Sequence, residues 1–251
     1  MTSIFDSDEF THSLFFPRAD ASEPPDGAID AMVDVGGARV HVRRYAAPGA
    51  TCALLLFHGN GEVVADYDDV AGLYGKLGIQ LAVGEFRGYG QSEGGPALRH
   101  IIADARPIAA WMGGSRFVVM GRSLGGMAAH ELYARPVDGM IGVVLESALS
   151  DLRGLIRRRG IEPPAAFTAD ELALYDPPTK LARGTLPLLV LHGANDTLID
   201  PHEARASLAA AGSADKRLVF VPGRGHNDLS LDEGYWVALA QFVERVSRVA
   251  S

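Results

Sequence analysis

Ser123, Asp196 and His226 each stand a few residues past a run of apolar residues. Together they have the functional groups for nucleophilic acyl transfer. A serine hydroxyl attacks a carbonyl poorly until a base takes its proton. An imidazole titrates near neutral pH and suits that task, while a buried carboxylate fixes its tautomer and stabilises its charged form. Ser123 lies in Gly121-Arg122-Ser123-Leu124-Gly125, directly after Phe117-Val118-Val119-Met120 and before small and apolar residues at helical spacing. This order predicts a buried strand, a tight turn and a helix. At such a turn the serine is held in a strained backbone conformation with its hydroxyl above the sheet edge. Gly121 and Gly125 flank it because a Cβ there would collide with the neighbouring strand and helix. The N–H groups that open the helix favour negative charge at the same point.

Other residues compete for each role. His58 and His192 both precede a glycine directly after an apolar run, where a histidine braces a loop through backbone hydrogen bonds. Asp200 is placed to cap a helix that starts at Pro201. Glu146, just past a strand end, is the most credible substitute for Asp196 as the acid. Cys52 opens an apolar run and reads as a small core residue. An oxyanion would need two N–H donors. Leu124, directly after the serine, supplies one, and Asn60, in the open Gly59-Asn60-Gly61 loop, supplies the other.

These residues share one place in space only if the right elements carry them. Residues 1–30 mix aromatics with Pro17, Pro24 and Pro25, and read as an N-terminal arm. Alternation around Gly36-Gly37 predicts a β-hairpin with its polar residues, His41 among them, facing solvent. Continuous apolar runs then alternate with amphipathic stretches: Cys52–Phe57, Ile79–Val83, Phe117–Met120, Ile141–Leu145, Leu186–Leu191 and Leu218–Val221. This is the pattern of a mostly parallel sheet covered by helices on both faces. Helices are expected over about 62–77, 96–111 (kinked or split at Pro107), 202–211 and 235–249. In an open α/β sheet, ligands gather at the carboxyl ends of the strands, where Ser123, Asp196 and His226 all fall. Residues 150–184 interrupt the rhythm with short helical pieces and read as a lid inserted in an α/β domain spanning 31–251. The Arg157-Arg158-Arg159 run within it reads as a solvated face rather than an anion site.

The loops as a series resemble those of the α/β-hydrolase superfamily from about residue 31 onward. The matching stretches are His58-Gly59-Asn60-Gly61, Phe86-Arg87-Gly88-Tyr89-Gly90-Gln91-Ser92, Gly121-Arg122-Ser123-Leu124-Gly125-Gly126, Leu191-His192-Gly193-Ala194-Asn195-Asp196 and Gly225-His226. The serine turn resembles a nucleophile elbow, and the order Ser, Asp, His is the one found in that superfamily. The likeness is greatest to small serine hydrolases with an Arg-Gly-Tyr-Gly-x-Ser loop. It implies an esterase-like activity on carboxylic esters, with Ser123 as nucleophile, His226 as base and Asp196 as orienter. Glu85 departs from the subgroup, which has Asp before the aromatic-Arg-Gly motif, and so puts local loop bonding in question. Peptidase, amidase or thioesterase chemistry would use the same triad. A non-catalytic binding protein on this fold is the reading from another class. Epoxide hydrolases and dehalogenases of this resemblance carry a carboxylate at the Ser123 position.

Composition narrows the partners. The net charge of −8, with acids and bases interspersed, argues against nucleic acid or an anionic membrane as the main partner. No apolar run is long enough to span a bilayer. The acidic N-terminus lacks the regions of a signal peptide, so a soluble, cytoplasmic protein is expected. The single cysteine excludes an intramolecular disulfide, and the histidines show no metal-ligand spacing, so neither a metal nor a cofactor is expected. The expected partner is a small ester or acyl substrate. Leu152, Leu155, Ile156 and Phe167 of the lid suggest a mainly apolar pocket.

Overall fold

Each continuous apolar run becomes a strand covered on both faces. The computed structural model describes residues 3–249. After a 3-10 turn at Ile4–Asp6 come α1 (Asp8–Leu14), β1 (Ala28–Asp34), β2 (Arg39–Tyr45) and β3 (Cys52–Phe57). A second 3-10 turn, Val64–Tyr67, precedes α2 (Ala71–Lys76), β4 (Ile79–Gly84), α3 (Leu98–Ala110) and β5 (Phe117–Arg122). Then follow α4 (Gly126–Ala134), β6 (Met140–Glu146), α5 (Leu152–Arg158), α6 (Ala169–Tyr175) and α7 (Pro177–Leu181). The chain ends with β7 (Leu188–Gly193), α8 (Pro201–Ala210), β8 (Lys216–Val221) and α9 (Glu233–Val249).

The strands form one sheet in the order β1-β2-β4-β3-β5-β6-β7-β8. The hairpin β1-β2 joins it antiparallel through β2 and β4, and β3 to β8 run parallel. Parallel running brings the carboxyl ends of β5, β7 and β8 to one edge, and with them the loops that carry Ser123, Asp196 and His226. Side chains alternate across the sheet. Leu55 and Phe57 of β3 pack on the face covered by α1, α3, α4, α5, α7 and α8, and Leu54 and Leu56 pack beneath α2 and α9. Burial on both faces is why β3 has no polar position.

Three local expectations are corrected. His41 does not face solvent: it is buried, with Nε2 3.1 Å from Asp30 Oδ1. The hairpin pattern suggests a half-exposed ribbon, but β2 is an interior strand and only β1 lies at the edge. The region 62–77 is not one helix. Asp66 accepts from the Val63 N–H at 3.0 Å and Glu85 from the Val64 N–H, so side chains claim amides that a helix would use. Pro107 does not split α3, which runs from Leu98 to Ala110 through it. The buried face of Leu98, Ile101, Ile102, Ala105 and Ile108 holds both halves down. Ala103, whose carbonyl would have bonded a residue at 107, is exposed to water.

Segment 150–184 supplies α5, α6 and α7, and Thr168 caps α6 reciprocally with Glu171. It is joined by the N-terminal segment. Phe5 and Phe10 are fully buried, and the Phe5 ring lies 4.5 Å from Tyr175 and 5.5 Å from Phe167 between centroids. Ser3 donates to Glu171 at 2.6 Å and the Tyr175 hydroxyl donates to Asp6 at 3.0 Å. One cap is therefore built from two stretches far apart in sequence. Among the described residues, no helix is long and apolar enough to cross a membrane.

The interior polar face of β2 needs compensation. Arg43, 1% exposed, donates to Asp30 at 2.7 and 2.8 Å, to Asp68 at 3.1 Å and to the Ser22 carbonyl at 3.0 Å. Tyr45 donates to Asp68 at 2.7 Å. Deleting the guanidinium strands two carboxylates. Arg43→Ala should lower unfolding free energy in urea by about 3–5 kcal/mol. A loss below about 1 kcal/mol would show the cluster to be a solvated surface pair instead.

Candidate active site

The residues at the end of β5 leave no room for side chains on either flank of Ser123. A Cβ on Gly121 would lie 2.6 Å from Ala129 Cβ, and one on Gly125 would overlap the Phe57 carbonyl at the end of β3. Small residues let the elbow sit directly against β3 and α4. Ser123 itself has φ of 51°, in the left-handed region that L-residues avoid. Such strain persists only where the surroundings over-determine it.

His226 follows β8 and bridges the other two residues. Its Nε2 lies 3.0 Å from Ser123 Oγ, and its Nδ1 lies 2.8 Å from Asp196 Oδ2. Asp196 follows β7 and is buried. Its Oδ1 accepts from the Leu198 and Ile199 amides, both at 2.9 Å. Burial pushes its carboxyl upward, but the hydrogen bonds from His226 and from the Ile199 and Leu198 amides outweigh that. They hold it below the usual carboxylate range, hence ionised. A negative partner of this kind favours a proton on Nδ1 and leaves Nε2 to accept from the serine.

The competitors have other work. His58 Nδ1 is 2.7 Å from the Gly59 carbonyl and His192 Nε2 is 2.9 Å from the Ile199 carbonyl, so both brace loops. Asp200 caps α8 by accepting from the His202 N–H. Glu146 accepts from Arg122 at 3.1 Å and from the Tyr235 hydroxyl at 2.7 Å. Cys52 is buried in the core.

Asn60 and Leu124 both line the cleft at Ser123, which holds about 250 Å3. The Asn60 side chain turns to the N-terminal segment. It accepts from the Phe16 N–H at 3.1 Å and the Tyr89 hydroxyl at 2.7 Å, and donates to the Leu14 carbonyl at 2.6 Å. Leu14 and Phe16 then form part of the cleft wall. Of the lid residues expected to line a pocket, Leu155 does so, Ile156 is buried in the core, and Leu152 and Phe167 border a separate cavity. The arginine run is not simply a solvated face. Arg157 is exposed, but Arg158 and Arg159 both line the cleft. Among the described residues, no group of three His, Cys, Asp or Glu side chains is placed to hold a metal ion.

Arg122 is the residue that sequence reasoning missed. It donates to Glu62 at 2.8 Å, Glu146 at 3.1 Å, the His226 carbonyl at 3.1 Å and Asn227 at 2.9 Å. Burial opposes its charge, but Glu146 and Glu62 outweigh burial and keep it protonated. Glu62 also accepts from the Gly59 N–H at 2.7 Å and the Tyr67 hydroxyl at 2.8 Å. The same strand-end filter that selects Ser123 selects Arg122, which directly precedes it.

Comparison with known proteins gives concordant results. A family profile described as serine aminopeptidase, S33 (Hydrolase_4) matches residues 49–181 and 176–232. The protein bem46 of Schizosaccharomyces pombe is 26% identical over 206 residues, covering 78% of this chain and 68% of its own. An uncharacterized protein of Mycobacterium tuberculosis is 30% identical over 195 residues, covering 74% and 66%. The Pyrococcus furiosus esterase Pf2001 superposes with a TM-score of 0.74 at 17% identity, covering 92% of this chain and 98% of that one.

Glu85, the departure from the expected Asp, is fully buried behind this site. It accepts from the Val64 amide, its Oε2 has no partner among the described residues, and His58 Nε2 lies 4.0 Å away. Burial pushes its carboxyl up to about 8. The folded chain therefore keeps a proton there that the unfolded chain releases once pH passes the ordinary carboxylate value. The associated stability is full at acidic pH and is lost as pH rises towards 8. Glu85→Gln should flatten the pH dependence of thermal unfolding between about pH 5 and 8 and raise the midpoint at the alkaline end. Parallel curves for the two proteins would contradict this.

Proposed function

The chain belongs to the family described as serine aminopeptidase, S33, within the α/β-hydrolases, and on that premise we propose a serine hydrolase that cleaves carboxylic esters through an acyl-enzyme. The observation that carries the reading is the His226 bridge, 3.0 Å to Ser123 and 2.8 Å to Asp196, at the wall of a cleft. Ser123 Oγ attacks the acyl carbonyl while His226 Nε2 takes its proton. Asp196 orients the ring and stabilises the imidazolium. The Asn60 and Leu124 N–H groups receive the charge that develops on the carbonyl oxygen. His226 then returns the proton to the leaving alcohol, and water repeats the sequence on the acyl-serine.

The family description raises an aminopeptidase as the second reading. That activity needs an acceptor for the substrate's ammonium group. Glu62 is the carboxylate that lines the cleft, and both its oxygens are engaged, one by Arg122 and the other by Gly59 and Tyr67. This supports esters over peptides with a free N-terminus. Thioesters would use the same groups. A non-catalytic role would leave a strained serine, a bridged histidine and an ionised aspartate without use.

A fluorophosphonate probe should label the wild-type protein and fail to label Ser123→Ala. Equal labelling of the two would sink the proposal. His226→Ala should lower kcat on p-nitrophenyl esters about a thousandfold or more without unfolding the chain. Amino-acid p-nitroanilides run in parallel should be poor substrates; turnover of them above the esters would favour the peptidase reading.

A further inference from the structure

Within the cleft, one charged side chain has no counterpart. Arg122 is held by Glu62 and Glu146, and Arg158 by Glu203 at 3.0 Å. Arg159, at the carboxyl end of α5, makes no hydrogen bond or ion pair with its guanidinium among the described residues. Its Nε is buried and unpartnered, and its Cζ lies over the Phe16 ring, 5.6 Å from the centroid. In a chain with 31 acidic residues against 23 basic ones, a cleft arginine paired with no carboxylate stands out. The neighbouring wall is apolar: Leu14, Phe16, Leu149, Leu155, Leu198 and Ile199.

A buried charged donor without an acceptor is costly. Burial, and then the like charge of Arg158, push the Arg159 guanidinium below its ordinary range. Arginine does not release its proton at working pH. An anion is the occupant that relieves both effects, and the planar fork of a guanidinium matches a carboxylate in two parallel hydrogen bonds.

We infer that the substrate is an ester that also carries a carboxylate, separated from the scissile carbonyl by an apolar stretch, and that Arg159 grips this carboxylate. The apolar wall accepts the stretch between the two groups. A dianionic phosphate fits less well, since it would bring two charges to one arginine in a cleft that also holds the Glu62 carboxylate. The inference deepens the esterase reading and rests on it. It gives the mainly apolar pocket expected from the lid residues a charged end.

The test compares monomethyl esters of succinic, adipic and suberic acids with methyl esters of the matching monoacids. For at least one length, the wild-type protein should favour the hemi-ester in kcat/KM. Arg159→Met should reduce that preference about tenfold or more, mainly through KM. Arg159→Lys should retain part of it. An unchanged ratio in Arg159→Met, or a wild-type preference for the neutral ester at every length, overturns the inference. Calorimetric titration of Ser123→Ala with monomethyl adipate separates the two claims. Binding that disappears in Ser123→Ala/Arg159→Met keeps the anion site even if no ester is cleaved. Ester cleavage without any Arg159-dependent preference or binding removes the anion site and leaves the hydrolase.

Discussion

The site depends on one mostly buried cation. Ser123, His226 and Asn60 lie on three loops that follow three different strands, and nothing in a sheet's hydrogen bonding aligns loops with one another. Arg122 does so. It reaches Glu62 beside the Gly59-Asn60 turn, Glu146 at the end of β6, and the His226 carbonyl with the Asn227 side chain beyond β8. A buried arginine alone would be costly, and so would either glutamate. Joined, the three charges stabilise one another and are further tied by Tyr67 and Tyr235. A guanidinium suits this position better than an ammonium, since its five donors can serve several acceptors in different directions.

Fixing the loops is distinct from choosing a substrate. Ser123, Asp196 and His226 stand on the sheet's edge, with the Ser123 turn pressed against the Phe57 carbonyl and α4. The cleft above is walled by Leu14 and Phe16 from the N-terminal segment and by Leu155, Arg158 and Arg159 from the lid. Leu14 and Phe16 lie outside residues 49–232, which the family profile matches. The matched region thus carries Ser123, Asp196 and His226, and residues outside it supply part of the cleft walls.

Much of this was legible in the sequence, for identifiable reasons. Strands buried on both faces leave uninterrupted apolar runs, as in Cys52–Phe57, and polar residues just past such runs must meet at one sheet edge. That logic reaches Ser123, Asp196 and His226, and the structure places His226 within hydrogen-bond distance of each of the other two. It fails where a residue's surroundings come from distant segments. His41 reads as exposed because alternation marks a half-buried strand, yet β2 has a neighbour on either side. Phe5 gains its burial partly from Phe167 and Tyr175, far away in sequence, and Phe10 packs on Phe5, so no local pattern announces them. Arg159 belongs to a run of three arginines that periodicity alone assigns to solvent; only the cleft distinguishes it from Arg157.

Asn60 joins two events that are usually considered separately. It lines the cleft, while its side chain holds Phe16 and Leu14 through hydrogen bonds of 3.1 and 2.6 Å. Attachment of the N-terminal segment and occupancy of the cleft are therefore linked equilibria. Linkage is reciprocal: whatever free energy an attached segment adds to ligand binding, a bound ligand adds equally to attachment. The amides of residues 10–16 thus become reporters of the cleft, and their hydrogen exchange would slow as it fills.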